Sequence, residues 1–350
     1  MIDISKHIIY DSKSLKDAIV QLDNNLGKNV TLFVVDKNEK LIGSITDGDI
    51  RRGIVKKGLS LSEPLSLAMN TSCSFLEKNN YSIQEIAKFR KKRIGLLPIV
   101  NQDKQITRII EFDKRKSILP IDAVIIAGGI GSRLKPLTDN TPKPLLEVGG
   151  IPIIERNVRR LIEFGVENIY ITVKYLGQQI IDYFKEYDSE GTKISFITET
   201  NPIGTFGSVT LIDKFEHDHV LVMNSDLLTN INFEDMYREF EITSSALTVG
   251  SIPYQVEVPY AVMETKSSEI ISLVEKPTYT YYSNAGIYLF KKELLEKVPK
   301  NQQYNATDLI EMVISEKVKV TSYPILGYWL DIGKHEDYER ANKDVHHITF

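Results

Sequence analysis

The sequence predicts an α/β fold, a domain with a mostly parallel sheet and helices on both faces, preceded by a smaller α+β module. Three observations carry this reading. From Ile121 onward, apolar runs of strand length alternate with segments of helical period. Between Ala127 and Ile154 a glycine-rich connection, AGGIGSRLKPLTDNTPKPLLEVGGIPII, leaves one such run and leads into a helix. The first third repeats one helix, strand, strand unit twice, and 350 residues is long for a single core.

In the repeat, Ser14 opens a helical segment followed by apolar strands around Thr31 to Val35 and Leu41 to Ile45. The same order returns as Ser82 to Lys92, Gly95 to Val100 and Ile106 to Ile110. Each serine is placed to accept from a free amide of the first helical turn, and Ser82 with Glu85 forms a capping box. Polar turns, Asp36 to Lys40 and Asn101 to Gln105, separate the strands of each copy as a hairpin requires. The charged run Lys114-Arg115-Lys116, then Ser117 and Pro120, reads as a linker, so the domains are expected at residues 1–118 and 119–350.

In the second domain, Ala123 to Ala127 is an uninterrupted apolar run of the kind buried in a parallel sheet. Pro152 to Gly165 carries apolar residues at Ile153, Ile154, Val158, Leu161 and Ile162, a helical period. Strands are expected at Asn168 to Val173, Lys193 to Thr198 and Val220 to Asn224, with helices at Gly177 to Glu186 and from about Gly207.

Composition excludes several classes. A net charge of -4 without a basic block argues against nucleic acid as a partner. No apolar run approaches the roughly 18 residues of a membrane span. Met1-Ile2-Asp3-Ile4 has neither a basic segment nor an apolar one, so the protein is expected in the cytoplasm, away from membranes. Cys73 is the only cysteine, which rules out an intrachain disulfide and a cysteine-based zinc site.

The glycine-rich connection has the chemistry of a phosphate site. Gly128, Gly129 and Gly131 let backbone amides approach phosphate oxygens with no Cβ in the way, and Arg133 and Lys143 add charge. Lys143 lies well beyond the third glycine and no Gly-Lys-Ser/Thr follows, so this is not a Walker A loop. With Arg133-Leu134, Pro136-Leu137-Thr138 and Pro142-Lys143-Pro144 in fixed order, the chain resembles the sugar-1-phosphate nucleotidyltransferases over residues 121 to 342. The resemblance implies a Rossmann-like domain that joins a nucleoside triphosphate to a sugar-1-phosphate and releases pyrophosphate. It implies nucleotide contacts from Ala127, Gly128, Gly129, Gly131 and Ser132. Arg133 would hold the β and γ phosphates, and Lys143 would bridge the attacking and α phosphates.

Such a transfer needs no protein nucleophile, because the sugar phosphate oxygen itself attacks the α-phosphorus. It needs cationic side chains and a magnesium ion to offset charge building on pyrophosphate. Magnesium takes one or two carboxylates and leaves its other positions to phosphate and water. Asp226 ends the apolar strand Val220 to Met223, and ligands of doubly wound sheets sit at such carboxyl ends. By the resemblance, Asp226 is catalytic and binds Mg2+ together with Asp331 of the element Trp329-Leu330-Asp331-Ile332-Gly333. Ser225 stands where the family usually has glycine.

Specificity is expected from two further elements. Glu199 to Gly207 resembles the family's base-reading loop, with Gly204 and Thr205 against the nucleobase. A carboxylate only accepts, and guanine offers two adjacent donors, so Glu199 suits GTP better than a uracil or thymine nucleotide; a glutamate at a loop edge can also simply be solvated. Glu275, Lys276 and Asn284 match the family's sugar-phosphate elements Glu-Lys-Pro and Asn-x-Gly-x-Tyr, although a charged loop before Pro277 would read the same. Ala261 replaces a common glycine and leaves the sugar open.

The N-terminal repeat resembles a tandem CBS module. Gly43 to Arg51 matches the strand, turn and helix in which a hydroxyl and an aspartate, here Thr46 and Asp49, hold the ribose of an adenine nucleotide. The pair equally suits a helix cap in a module that only pairs copies. In the second copy Thr107, Ile110 and Asp113 stand in place of Gly43, Thr46 and Asp49, so at most one ribose site is equipped. The domain order and Glu199 are similar to glucosamine-1-phosphate guanylyltransferases of legionaminic acid biosynthesis. Mannose-1-phosphate or heptose-1-phosphate guanylyltransferases and glucose-1-phosphate thymidylyl or uridylyltransferases remain alternatives, as does a nucleotide-sensing regulatory binding protein. A homo-oligomer paired through the CBS module is expected.

Overall fold

The computed structural model describes residues 3–25, 31–78 and 80–350; Met1 and Ile2, read above for a leader, lie outside them. It separates into two compact units, Met1–Ile118 and Leu119–Phe350. No helix among the described residues is long and apolar enough to cross a membrane.

The first unit builds the same sheet twice. Strand β1 (Ile8–Tyr10), helix α1 (Leu15–Asn24), strands β2 (Leu32–Val35) and β3 (Leu41–Ile45) and helix α2 (Asp47–Lys57) form the first copy. Strand β4 (Leu76–Glu77), helix α3 (Ile83–Lys91) and strands β5 (Leu96–Val100) and β6 (Ile106–Glu111) form the second. The sheet orders are β1-β2-β3 and β4-β5-β6, each with a parallel first pair and an antiparallel second pair. Both hairpins shift register one residue from the turn, between Val34 and Val35 and between Ile99 and Val100. All three helices carry capping boxes, Ser14 with Asp17, Thr46 with Asp49 and Ser82 with Glu85, each worth about 1 kcal/mol. The turns of the two hairpins meet: Leu41 N donates to Lys104 O at 2.9 Å, and Phe33, Leu41, Leu96, Val100 and Ile109 share one apolar core.

In the second unit, strand β7 (Ile121–Ala127) is followed by the long connection, which contains a small hairpin of β8 (Glu147–Val148) and β9 (Ile151–Pro152). Helix α4 (Ile153–Glu163), strand β10 (Asn168–Val173), helix α5 (Gly177–Phe184), strand β11 (Lys193–Thr198) and helix α6 (Gly204–Val209) come next. Strand β12 (His219–Asn224), the short β13 (Leu227–Thr229), helix α7 (Phe233–Thr243) and the long β14 (Leu247–Glu257) lead to a hairpin of β15 (Val262–Lys266) and β16 (Glu269–Val274). Strand β17 (Thr278–Lys291), helix α8 (Ala306–Ser315), strands β18 (Val320–Pro324) and β19 (Trp329–Asp331) and helix α9 (His335–Asp344) complete it.

The central sheet has seven strands in the order β11-β10-β7-β12-β17-β14-β18. It is mostly parallel, as the sequence predicts, and β17 is the reversed strand, antiparallel to both β12 and β14. The reversal follows from the connection: β14 returns to β17 through hairpins, with no crossover helix. Valines and phenylalanines of the sheet pack against α6 and α8 around Phe206, Phe290 and Leu309. Helix α6 begins at Gly204, three residues before the position expected, because Tyr304 O accepts from the amides of Phe206 and Gly207, both at 3.0 Å, and anchors the first turn. Helix α4 ends where Gly165, at φ +73°, lets Val166 N reach back to Leu161 O at 3.1 Å.

Candidate active site

The two aspartates expected to act together come from strand ends 105 positions apart in sequence and are brought side by side by a small ribbon. Leu227 of β13 pairs with Asp331 of β19, which sets Asp331 beside Asp226, and Ile332 N donates to Asp226 O at 3.1 Å. Asp226 is placed by β12: Ser225 N donates to Ile126 O at 3.1 Å, and the buried Asn157 of α4 donates its amide to Ser225 O at 3.2 Å. Ser225 itself is buried, so the serine that departs from the family pattern forms part of the packing beneath the carboxylate.

Lys143 reaches the same point from the glycine-rich connection. It opens a 3-10 turn, Lys143–Leu145, between Pro142 and Pro144, and is buried. Its ammonium bonds Asp226 Oδ2 and lies 3.9 Å from Asp331 Oδ1. Gly131 makes this possible: it sits at φ +67°, and a Cβ there would lie 3.0 Å from Lys143 Cβ. Thr138 closes the loop by donating its hydroxyl to Gly131 O at 2.9 Å, and Tyr175 donates its own hydroxyl to Thr138 O at 3.1 Å. Arg133 is exposed and its guanidinium lies beside Gly333, where a Cβ would stand 3.4 Å from Nη2.

Two carboxylate oxygens are left over. Asp226 Oδ1 and Asp331 Oδ1 are buried and have no hydrogen-bond partner. Burial and then the neighbouring charge of Asp226 raise the pKa of Asp331 above the ordinary carboxylate value, against the opposing pull of Lys143 and Arg133. The geometry is that of a donor pair short of positive charge, which suits a hard divalent ion completed by phosphate and water oxygens. No cluster of three or more His, Cys, Asp or Glu that could hold a metal ion occurs among the described residues.

Glu199 lies at the other side of the glycine turn. It is buried, its amide donates to Val173 O at 2.9 Å, and its Oε1 has no partner. A Cβ on Gly128 would come within 2.9 Å of Oε1, so the missing side chain of Gly128 makes room for the carboxylate. Ala127 is buried at the end of β7, whereas Gly129 and Ser132 are open. Gly204, at φ +76°, is wedged against Asn305 and Tyr304, and Thr205 follows it half-buried.

The sugar-side residues stand differently. Glu275 and Lys276 are exposed between β16 and β17, and neither makes a side-chain hydrogen bond or ion pair among the described residues. Asn284 is exposed and accepts from Gly286 N at 2.9 Å. Three residues that the sequence reading passed over support the site: Asn157, Tyr175 and Asn224, whose amide fills the space a Cβ on Gly286 would need. Trp329 donates its indole N–H to Ala285 O at 3.0 Å and ties β19 to β17; its place in the Trp-x-Asp-x-Gly element was the available signal.

In the first unit, Thr46 and Asp49 line a cavity of about 640 Å³ together with Arg52, Lys92 and Arg93. Their polar atoms already have uses. Thr46 Oγ1 donates to Asp49 Oδ2 at 2.6 Å and accepts from Asp49 N, while Asp49 Oδ1 accepts from Arg52 at 2.6 Å.

A model of the nucleotidyl transferase family matches residues 122–348, and a CBS domain model matches residues 4–56. The bifunctional protein GlmU of Methanocaldococcus jannaschii is 35% identical over 230 residues, 64% of this chain and 54% of that protein. A mannose-1-phosphate guanyltransferase of Schizosaccharomyces pombe is 30% identical over 225 residues, 62% of each chain. The chain thus spans only a little over half the length of these curated relatives. Among solved structures, HddC from Yersinia pseudotuberculosis complexed with GMP-PN superposes with a TM-score of 0.50 at 27% identity, covering 64% of this chain and 99% of that one.

Proposed function

The chain belongs to the nucleotidyl transferase family, and on that premise we propose that its second unit is a guanylyltransferase that uses GTP and a hexose- or hexosamine-1-phosphate. The acceptor in this reading is glucosamine-1-phosphate, and the GDP-sugar serves surface glycan synthesis of the legionaminic acid type. An oxygen of the sugar phosphate forms a bond to the α-phosphorus of GTP, the α–β bridging bond breaks, and its electron pair leaves on pyrophosphate. The observation that supports transfer is the convergence of Lys143 on Asp226 and Asp331, two of whose oxygens are buried without a hydrogen-bond partner. A nucleotide-sensing protein without turnover has no use for that pair.

In this mechanism Lys143 lies between the incoming phosphate and the α-phosphate and offsets their repulsion, and Arg133 holds the departing β and γ phosphates. Asp226 and Asp331 would hold Mg2+, which when bound neutralises charge developing on the phosphate oxygens. The preference for guanine rests on Glu199, whose partnerless Oε1 beside Gly128 suits the adjacent N–H donors of that base. The guanine nucleotide in the HddC complex agrees with it. Pyrophosphate release measured with four nucleoside triphosphates against glucosamine-, mannose-, heptose- and glucose-1-phosphates tests the reading. GTP with glucosamine-1-phosphate is expected to be fastest, and a preference for UTP or dTTP would remove the role given to Glu199.

For the first unit we propose that the cavity lined by Thr46, Asp49, Arg52, Lys92 and Arg93 takes an adenine nucleotide. Equilibrium dialysis with AMP and ATP is expected to show binding that Arg93→Ala weakens; no binding to the wild-type chain would leave the unit as a pairing module.

A further inference from the structure

Helix α4 lies behind the candidate site and bonds the backbone of the segments that carry its charged groups. It packs against β13 and against the Lys143–Leu145 turn. Its first amide, Ile153 N, donates to Leu146 O at 3.1 Å, just past the turn that carries Lys143. One helical turn further along, Asn157 Nδ2 donates to Ser225 O at 3.2 Å, and Arg160 Nη2 donates to Ile231 O. Asn157 and Arg160 stand three positions apart, so they leave the helix on one face. Between their two acceptors lies the whole segment Asp226 to Asn230, which holds the carboxylate of Asp226 and then β13, whose register sets Leu227 opposite Asp331. One helix face thus grips that segment at both ends.

Arg160 is costly in this place. It is 4% exposed, and its Nε and Nη1 have no hydrogen-bond partner among the described residues. The rings of Phe164, Phe233 and Phe350 lie 5.8, 5.6 and 5.9 Å from its Cζ and offset part of the lost hydration. An apolar side chain of similar length would fill the space without that cost, but it could not bond Ile231 O. We infer that Arg160 is a positioning residue, which with Asn157 clamps the Ser225 to Ile231 segment so that Asp226 keeps its place against Lys143 and Asp331. The inference rests on the transfer reading above, in which those three groups act together. With the far end released, β13 could shift on α4 and, through the pairing of Leu227 with Asp331, change the separation of the two carboxylates. That separation is what the strict octahedral geometry of magnesium would feel first.

Arg160→Met and Arg160→Lys in the full chain test this by urea unfolding, steady-state kinetics and magnesium titration. The methionine variant is expected to be as stable as the wild type or more so, since it removes a buried charge and keeps the volume. Its kcat should fall roughly tenfold or more with KM for GTP nearly unchanged, and the magnesium needed for half the maximal rate should rise several-fold. Arg160→Lys keeps a donor of nearly the same reach and should recover most of kcat. A methionine variant with wild-type kcat and magnesium requirement, or a lysine variant no more active than it, would overturn the clamp. Should Arg160→Met not fold, Arg160→Gln, too short for Ile231 O, takes its place under the same criteria. A wild type that releases no pyrophosphate with any substrate pair would remove the transfer reading itself. Deuterium exchange of the Asp226 to Asn230 amides then decides the clamp separately: loss of Arg160 should speed it and leave β10 unchanged, and equal exchange in that segment would overturn it.

Discussion

Lys143 bonds one oxygen of Asp226 and leaves the other buried without a partner. The lysine thus answers part of the negative charge that Asp226 and Asp331 bring together, and the remainder is what Mg2+ would offset in the proposed reading. Lys143→Ala is expected to lower kcat about a hundredfold, on the order of 3 kcal/mol of transition-state stabilisation, with KM for GTP changed far less. Lys143→Arg should not rescue it, because a planar guanidinium does not fit a buried point-charge position. Steady-state kinetics of both variants check this.

Glu199→Gln is expected to lower kcat/KM for GTP roughly tenfold to a hundredfold, since an amide nitrogen would face the donors of the base. Gly128→Ala should act in the same direction, because the new methyl would stand 2.9 Å from Glu199 Oε1 and push it aside. The check is the ratio of kcat/KM values for GTP and UTP; an unchanged ratio in both variants would remove Glu199 from base selection.

Thr138→Val deletes the hydroxyl that donates to Gly131 O and keeps the volume. Stability should fall by about 1 kcal/mol, and kcat should fall with it as the turn carrying Lys143 loosens. Urea unfolding and initial rates on the same preparation measure the two effects.

Asp122 is fully buried at the opposite end of β7. Its carboxylate accepts from His217 N at 3.0 Å, Glu216 N at 2.6 Å and Asn168 at 2.9 Å, and Oδ1 lies 2.8 Å from His217 Nδ1. Burial pushes its pKa up, but the bonds from His217 and Asn168 outweigh burial and hold it below the ordinary value. A depressed carboxyl stabilises the fold above its unfolded pKa and loses that contribution as pH falls through the folded value. Asp122→Ala should therefore cost on the order of 3 kcal/mol near neutral pH, with the gap from wild type narrowing below about pH 4. Urea midpoints from pH 3 to 7 test the sign; a gap that widened in acid would contradict it.

The parts of this fold legible in the sequence are those with local physical signatures. The run Ala123 to Ala127, the glycines that follow and the period of α4 sit where side-chain patterning alone decides. The serine caps of α1 and α3 were readable for the same reason. Strands β1 and β4, three and two residues long, have no period to detect and exist through pairing with β2 and β5. Arg160, which a helical wheel would give to solvent, is buried on α4 among Phe164, Phe233 and Phe350, and burial pushes its pKa down to about 10. In the site, motif order pointed to Arg133, Lys143, Asp226 and Asp331 as candidates. It gave no sign that Glu199 packs under Gly128, or that Asn157 holds the strand end, because both depend on how distant segments meet.

The most direct test of the proposed catalytic centre compares pyrophosphate release by the full chain and by Asp226→Asn, with magnesium, GTP and glucosamine-1-phosphate. The account predicts release in step with GDP-sugar from the wild type and a loss of at least about a hundredfold in the variant. Undiminished release from Asp226→Asn, or none from the wild type with any nucleoside triphosphate and sugar phosphate, would contradict it.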